Sequence, residues 1–159
     1  MAFELRDSRY MFLYRVEHES TKAGPYARGY GTAAMRELAC DLCRTHSANN
    51  SNFHPGMYDD LYDSRDGQEW KYKNDDKPFG GNLYCACDSI RSLKEWFDGF
   101  WDRLDRCGYV VKVYRVKREH YLHGNSYRQV FFEKQGREYK VLRMYEVIAG
   151  RWDKLNKWN

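Results

Sequence analysis

Between residues 89 and 108 the apolar side chains fall where one α-helical face needs them. Ile90, Leu93, Phe97, Phe100, Leu104 and Cys107 recur at intervals of three and four, Trp96 and Trp101 widen that face, and Gly108 follows as a stop. Asp88 or Ser89 stands where an N-cap belongs. Directly after the stop, residues 109–116 are β-branched and aromatic, as a buried strand requires. A helix this apolar needs a sheet to lie against, and the chain supplies one.

Residues 12–16 read as a first strand, ended by Glu17-His18-Glu19 and a turn at Gly24-Pro25-Tyr26. Residues 32–45 predict a helix with Thr32 as cap and Met35, Leu38, Ala39 and Leu42 on one face. Leu83, Cys85 and Cys87 alternate with Tyr84 and Ala86 as a short strand. After His123-Gly124-Asn125, residues 127–134 and 137–148 predict a hairpin turning at Gln135-Gly136. The expected fold is therefore α+β: one domain over residues 1–159, a mostly antiparallel sheet, two main helices and a long irregular insertion. That insertion is the polar stretch 46–82, and residues 151–159 form either a short helix or a loose tail.

Aromatic residues make up 17% of the chain, with 14 Tyr, 8 Phe and 5 Trp, and there are only 3 Pro, so a disordered linker is excluded. No apolar run reaches the roughly 18 residues of a membrane span and no signal peptide is visible, which predicts a cytoplasmic protein without membrane contact. The formal charge of +4 is unevenly spread. Residues 1–76 hold 10 bases and 13 acids, residues 77–159 hold 17 and 10, and the excess sits in residues 112–159, with 12 bases and 5 acids. A basic final third suits nucleic acid, a phosphate-bearing ligand or an acidic protein; it equally suits a solvated sheet face. Between residues 59 and 76 the insertion carries 7 acids against 3 bases, together with exposed-reading tyrosines. Such a stretch suits a lid or a partner surface as well as an ordered scaffold loop.

The five cysteines, at 40, 43, 85, 87 and 107, are odd in number and read as reduced thiols. Cys40, Cys43 and His46 form a C-x2-C-x2-H set that Cys85 and Cys87 would complete for zinc. On a helix, however, Cys43 flanks the apolar stripe of Met35, Leu38 and Leu42 while Cys40 points well away from that stripe, and no knuckle turn is offered, so no metal is the preferred reading. Asp59-Asp60 offers two carboxylates to a cation, though at no calcium-loop spacing. His18, His54, His120 and His123 lack a companion nucleophile at a recognisable spacing. The chain has no phosphate-binding, dinucleotide-binding or hydrolase-elbow motif. A dispersed set remains: Tyr14-Arg15 on the first strand, the Cys87-Asp88-Ser89 corner, and Gln129. Arg15 can fork a phosphate, the corner exposes N–H groups, and Gln129 can hold a ribose hydroxyl.

Tyr14-Arg15-Val16-Glu17, Gly24-Pro25-Tyr26, Ser92-Leu93-Lys94-Glu95-Trp96-Phe97, residues 108–114 and Gln129-Val130-Phe131-Phe132 together resemble small proteins encoded by phages and prophages. The resemblance covers most of residues 12–133. It implies a phage accessory protein in the host cytoplasm that binds a host protein or a nucleotide signal, countering defence or redirecting host machinery. More distantly, the order of parts resembles the ADP-ribosyltransferase fold. That likeness implies NAD or a related nucleotide as cofactor, Arg15, Gln129 and Glu133 as catalytic residues, and Arg15, Tyr26, Ser89 and Gln129 as ligand contacts. The chain departs from that family in its middle motif, which reads Cys85-Ala86-Cys87-Asp88-Ser89, and in lacking a late Glu-x-Glu. A nucleic-acid binder using Tyr121, Tyr127, Phe131 and Tyr139 is the third expectation.

Overall fold

The computed structural model describes residues 9–27, 31–49, 54–126, 128–133 and 137–148. In chain order the elements begin β1 (Tyr10–His18), α1 (Ala33–Asn49), α2 (Met57–Leu61), α3 (Arg65–Lys73), β2 (Leu83–Ala86), α4 (Ile90–Trp96) and α5 (Trp101–Arg106). They continue β3 (Tyr109–Lys117), β4 (Tyr121–His123), β5 (Val130–Glu133), β6 (Arg137–Leu142) and α6 (Met144–Ile148).

Two antiparallel sheets result, ordered β1-β3-β6 and β2-β5-β4. β1 and β3 pair along their whole lengths, Tyr10 opposite Lys117 and His18 opposite Tyr109. The sheets meet at one bridge, where Tyr14 N donates to Cys87 O at 2.8 Å and Cys87 N to Tyr14 O at 2.9 Å. Strand alternation then sorts the core into layers. Phe12, Tyr14 and Val16 face Leu38 and Leu42 of α1, Ile90 and Leu93 of α4, and Val147 of α6. Met11 and Leu13 point the other way and pack with Ala86, Val130 and Phe132 of the second sheet. The outer face of that sheet, through Leu83, Leu122 and Phe131, covers Leu61, Trp70 and Phe79.

The α+β class with antiparallel pairing stands, and several local expectations change, among them the irregular insertion, which contains α2 and α3. The expected hairpin is not one: β5 pairs with β2 and β4, whereas β6 pairs with β3 in the other sheet. β3 has an open edge that accepts Val141 and Leu142 opposite Lys112 and Val111, and that long-range pairing prevails over the neighbouring strand. The turn expected at Gln135-Gly136 and the tail 151–159 lie outside the described residues. The strand also stops at Leu142, and the helical α6 turns Met144 and Val147 into the core.

The helix expected over 89–107 is broken in two at Gly99, whose φ of +84° belongs to the left-handed region. The spacing of three and four persists through the break because both halves address the same core. A Cβ at Gly99 would meet nothing within 4 Å, so Gly99→Ala should act through backbone strain alone. Its expected cost is about 1 kcal/mol, read as a lower urea midpoint with an unchanged slope.

Within the polar stretch 46–82, α1 extends to Asn49, and α2 and α3 follow. Ser64 caps α3 by accepting from Gly67 N at 2.9 Å while its hydroxyl donates to Leu61 O at 2.9 Å. Among the described residues no helix is long and apolar enough to cross a membrane.

Candidate functional site

The alternation of β1 aims Arg15 away from the helices and toward the second sheet. Its Nη1 donates to Cys85 O at 2.9 Å, its guanidinium lies 4.5 Å from the centroid of the Tyr84 ring, and its Nε is 3.9 Å from Glu17 Oε2. Glu17 is itself buried and accepts from the Tyr114 hydroxyl. Burial, followed by that carboxylate, pushes the Tyr114 phenol upward. Arg15 thus clamps the free edge of β2 where the two sheets part.

Gln129 faces the opposite way. Its Nε2 donates to Pro55 O at 2.7 Å and to Asp60 Oδ2 at 3.2 Å, on the side of the second sheet that covers α2. Asp60 also accepts from Ser126 N at 2.7 Å and Ser126 Oγ at 2.8 Å, and its carboxylate is buried. Its neighbour Asp59 is exposed, so the adjacent acids read as a cation pair are divided between the core and solvent. Glu133 stands at the far end of β5, accepting from Trp70 Nε1 at 3.3 Å and lying 3.3 Å from His120 Nδ1. Ser89 caps α4, accepting from Ser92 N at 3.1 Å. The structure therefore places Arg15 and Gln129 on opposite faces of the second sheet, with Ser89 and Glu133 each occupied locally.

Tyr26 occupies a position that its turn sequence did not disclose. Trp96 Nε1 donates to its oxygen at 2.7 Å, and the Tyr26 hydroxyl shares a hydrogen bond with His46 Nδ1 at 2.6 Å. The His46 ring stacks on that of His54, with centroids 3.7 Å apart and planes 2° from parallel. His54 Nε2 donates to Trp96 O at 2.9 Å. Burial, with His54 beside it, lowers His46 to about 4; burial likewise lowers His54. The same desolvation pushes the Tyr26 phenol and the Cys87 thiol upward, and the Cys85 thiol up to about 11. These thiols stay protonated at neutral pH and are poor nucleophiles.

Cys40 is exposed on α1 and Cys43 half-buried, while Nδ1 of buried His46 is taken by Tyr26. Among the described residues no group of three or more His, Cys, Asp or Glu forms a metal set. Of the aromatics proposed for nucleic acid, Phe131 is buried and Tyr121 half-buried, whereas Tyr127 and the Tyr139 side chain lie outside the described residues.

One surface feature was not resolved by sequence periodicity because α2 is only five residues long. Tyr58 and Tyr62 stand one turn apart, 60% and 46% exposed, with ring centroids 5.0 Å apart and planes tilted by 32°. The same short element is fixed from beneath by Asp60 and by Leu61, which is fully buried against Trp70 and Phe131. Large aromatic area is thus held rigidly outward, at little entropic cost to a binding event.

A family model described as Bacteriophage T4 Y00F protein matches residues 11–147. No curated protein and no solved structure matches the chain.

Proposed function

The chain belongs to the bacteriophage T4 Y00F protein family, and from that premise we propose that it is an accessory protein that binds a host protein through the outward face of α2. The observation that carries this reading is the exposed Tyr58–Tyr62 pair, its rings in tilted contact, on α2 and its C-cap, an element whose inner face is locked. Tyrosine offers broad contact area with few rotatable bonds, which is why it concentrates at interface hot spots. The surrounding acids favour a basic partner surface and would speed the encounter.

The test is a quantitative capture from a lysate of the bacterial host, comparing the wild-type chain with Tyr58→Ala/Tyr62→Ala. Both side chains are exposed, so the double variant should keep its urea midpoint. Proteins retained by the wild type should fall by about tenfold or more, the scale of two interface tyrosines that together contribute about 1.4 kcal/mol or more. Tyr72→Ala, which removes the 88% exposed ring of α3, serves as the matched surface control. Equal retention by the wild type and the double variant would overturn the reading.

A further inference from the structure

We propose that the outward face of α2 recognises a guanidinium, so that an arginine of the partner lies over the Tyr58–Tyr62 rings and is held by Asp59 and Asp63. This rests on the reading of α2 as the docking face and specifies its chemistry. Tyr58 on α2 and Tyr62 at its C-cap bring their rings together, Asp59 stands three residues before Tyr62, at neighbouring spacing on the helical turn, and Asp63 follows in the turn that ends the element. All four are exposed, and neither Asp59 nor Asp63 has a hydrogen bond or ion pair among the described residues.

The other two acids of this stretch are committed elsewhere. Asp60 holds Ser126 and Gln129, and Asp66 accepts from His123 N at 2.9 Å. Residues 57–66 carry one cation, Arg65, whose field falls on Glu69 of α3. What this stretch turns to solvent is therefore two aromatic rings and two carboxylates that make no ion pair among the described residues.

That combination favours arginine over lysine. A guanidinium is flat, so it can stack on a ring while its edge donors reach a carboxylate; an ammonium is a strongly hydrated point charge. The chain uses the same arrangement internally. Arg15 lies 4.5 Å from the Tyr84 ring centroid with Glu17 alongside, and Arg115 lies 4.0 Å from that of Tyr10.

Two fluorescein-labelled peptides of equal charge, hexa-arginine and hexa-lysine, provide the probe, titrated by fluorescence anisotropy at about 0.15 M salt. The arginine peptide should bind about fivefold more tightly, matching one exposed cation–π contact. Tyr58→Leu/Tyr62→Leu should reduce that preference below about twofold while leaving lysine binding in place. Asp59→Asn/Asp63→Asn should weaken both peptides. Equal binding of the two peptides by the wild type, or a preference that survives in the leucine variant, overturns the guanidinium assignment. The lysate capture separates the two levels. Capture lost in the tyrosine variants without any arginine preference refutes this inference alone, whereas capture that ignores those variants refutes the docking face as well.

Discussion

Asp60→Ala should lower folding stability by about 3 kcal/mol, while Asp59→Ala, one residue away, should change it by less than about 0.5 kcal/mol. The Asp60 side chain is 1% exposed and accepts three hydrogen bonds, from Ser126 N, Ser126 Oγ and Gln129 Nε2. Truncation leaves those donors facing a void, and each unsatisfied buried donor costs about 1–3 kcal/mol. Part of this is recovered because Gln129 keeps its bond to Pro55 O. The loop carrying Ser126 is moulded to the carboxylate, since a Cβ at Gly124 would run into it. Gly124→Ala should therefore also destabilise, and the double variant Asp60→Ala/Gly124→Ala should cost less than the two losses combined. Urea denaturation of the four proteins measures this. Similar small losses for Asp59→Ala and Asp60→Ala would show that Asp60 does not anchor α2.

That contrast also marks where sequence reasoning stops. β1 and β3 were legible as β-branched and aromatic runs buried on both faces, and the apolar positions on either side of Gly99 because their spacing of three and four serves one layer of core. The division between Asp59 and Asp60 was not, because a five-residue helix has too few turns to show a period. What buries Asp60 is a loop 66 residues later in the chain. Pairing of β6 was misread for a related reason: local sequence favours the hairpin, but the free edge of β3 is available only once the sheet exists. Tyr26 follows the same rule, since its hydroxyl is placed by Trp96, 70 residues away. Arg15 and Gln129, expected as ligand contacts, each bond to protein partners, Arg15 to Cys85 O and Gln129 to Pro55 O and Asp60. Those partners follow from which face of the second sheet each side chain meets, and only the assembled sheets decide that.

Lowering the pH from about 6.5 to about 4 should cost the fold on the order of 2 kcal/mol through the stacked histidines. His46 is buried and held down to about 4 from an ordinary value of 6.5, first by desolvation and then by His54 beside it. His54 is lowered too, with burial as the main cause and Arg128 adding to it. In this window the unfolded chain binds protons that the folded chain refuses, so acid favours unfolding. The contribution is complete above pH 6.5 and lost as the pH falls through the folded value. Protonating His46 would also set a charge beside the buried Tyr26 hydroxyl, with which its Nδ1 shares a hydrogen bond. The exposed carboxyls of Glu19 and Glu69, held below their usual range by Arg143 and Lys73, titrate lower and leave the upper part of the window to the imidazoles. Urea midpoints at half-unit pH intervals should fall between pH 6.5 and 4.5. His46→Gln, which keeps an acceptor for Tyr26 but cannot titrate, should start less stable and show a flatter profile. NMR titration of the imidazole carbons should give a folded value for His46 well below 6. A His46 that titrates near 6.5, or a wild-type profile as flat as that of the variant, would show that the stacked pair does not set the acid limit of this fold.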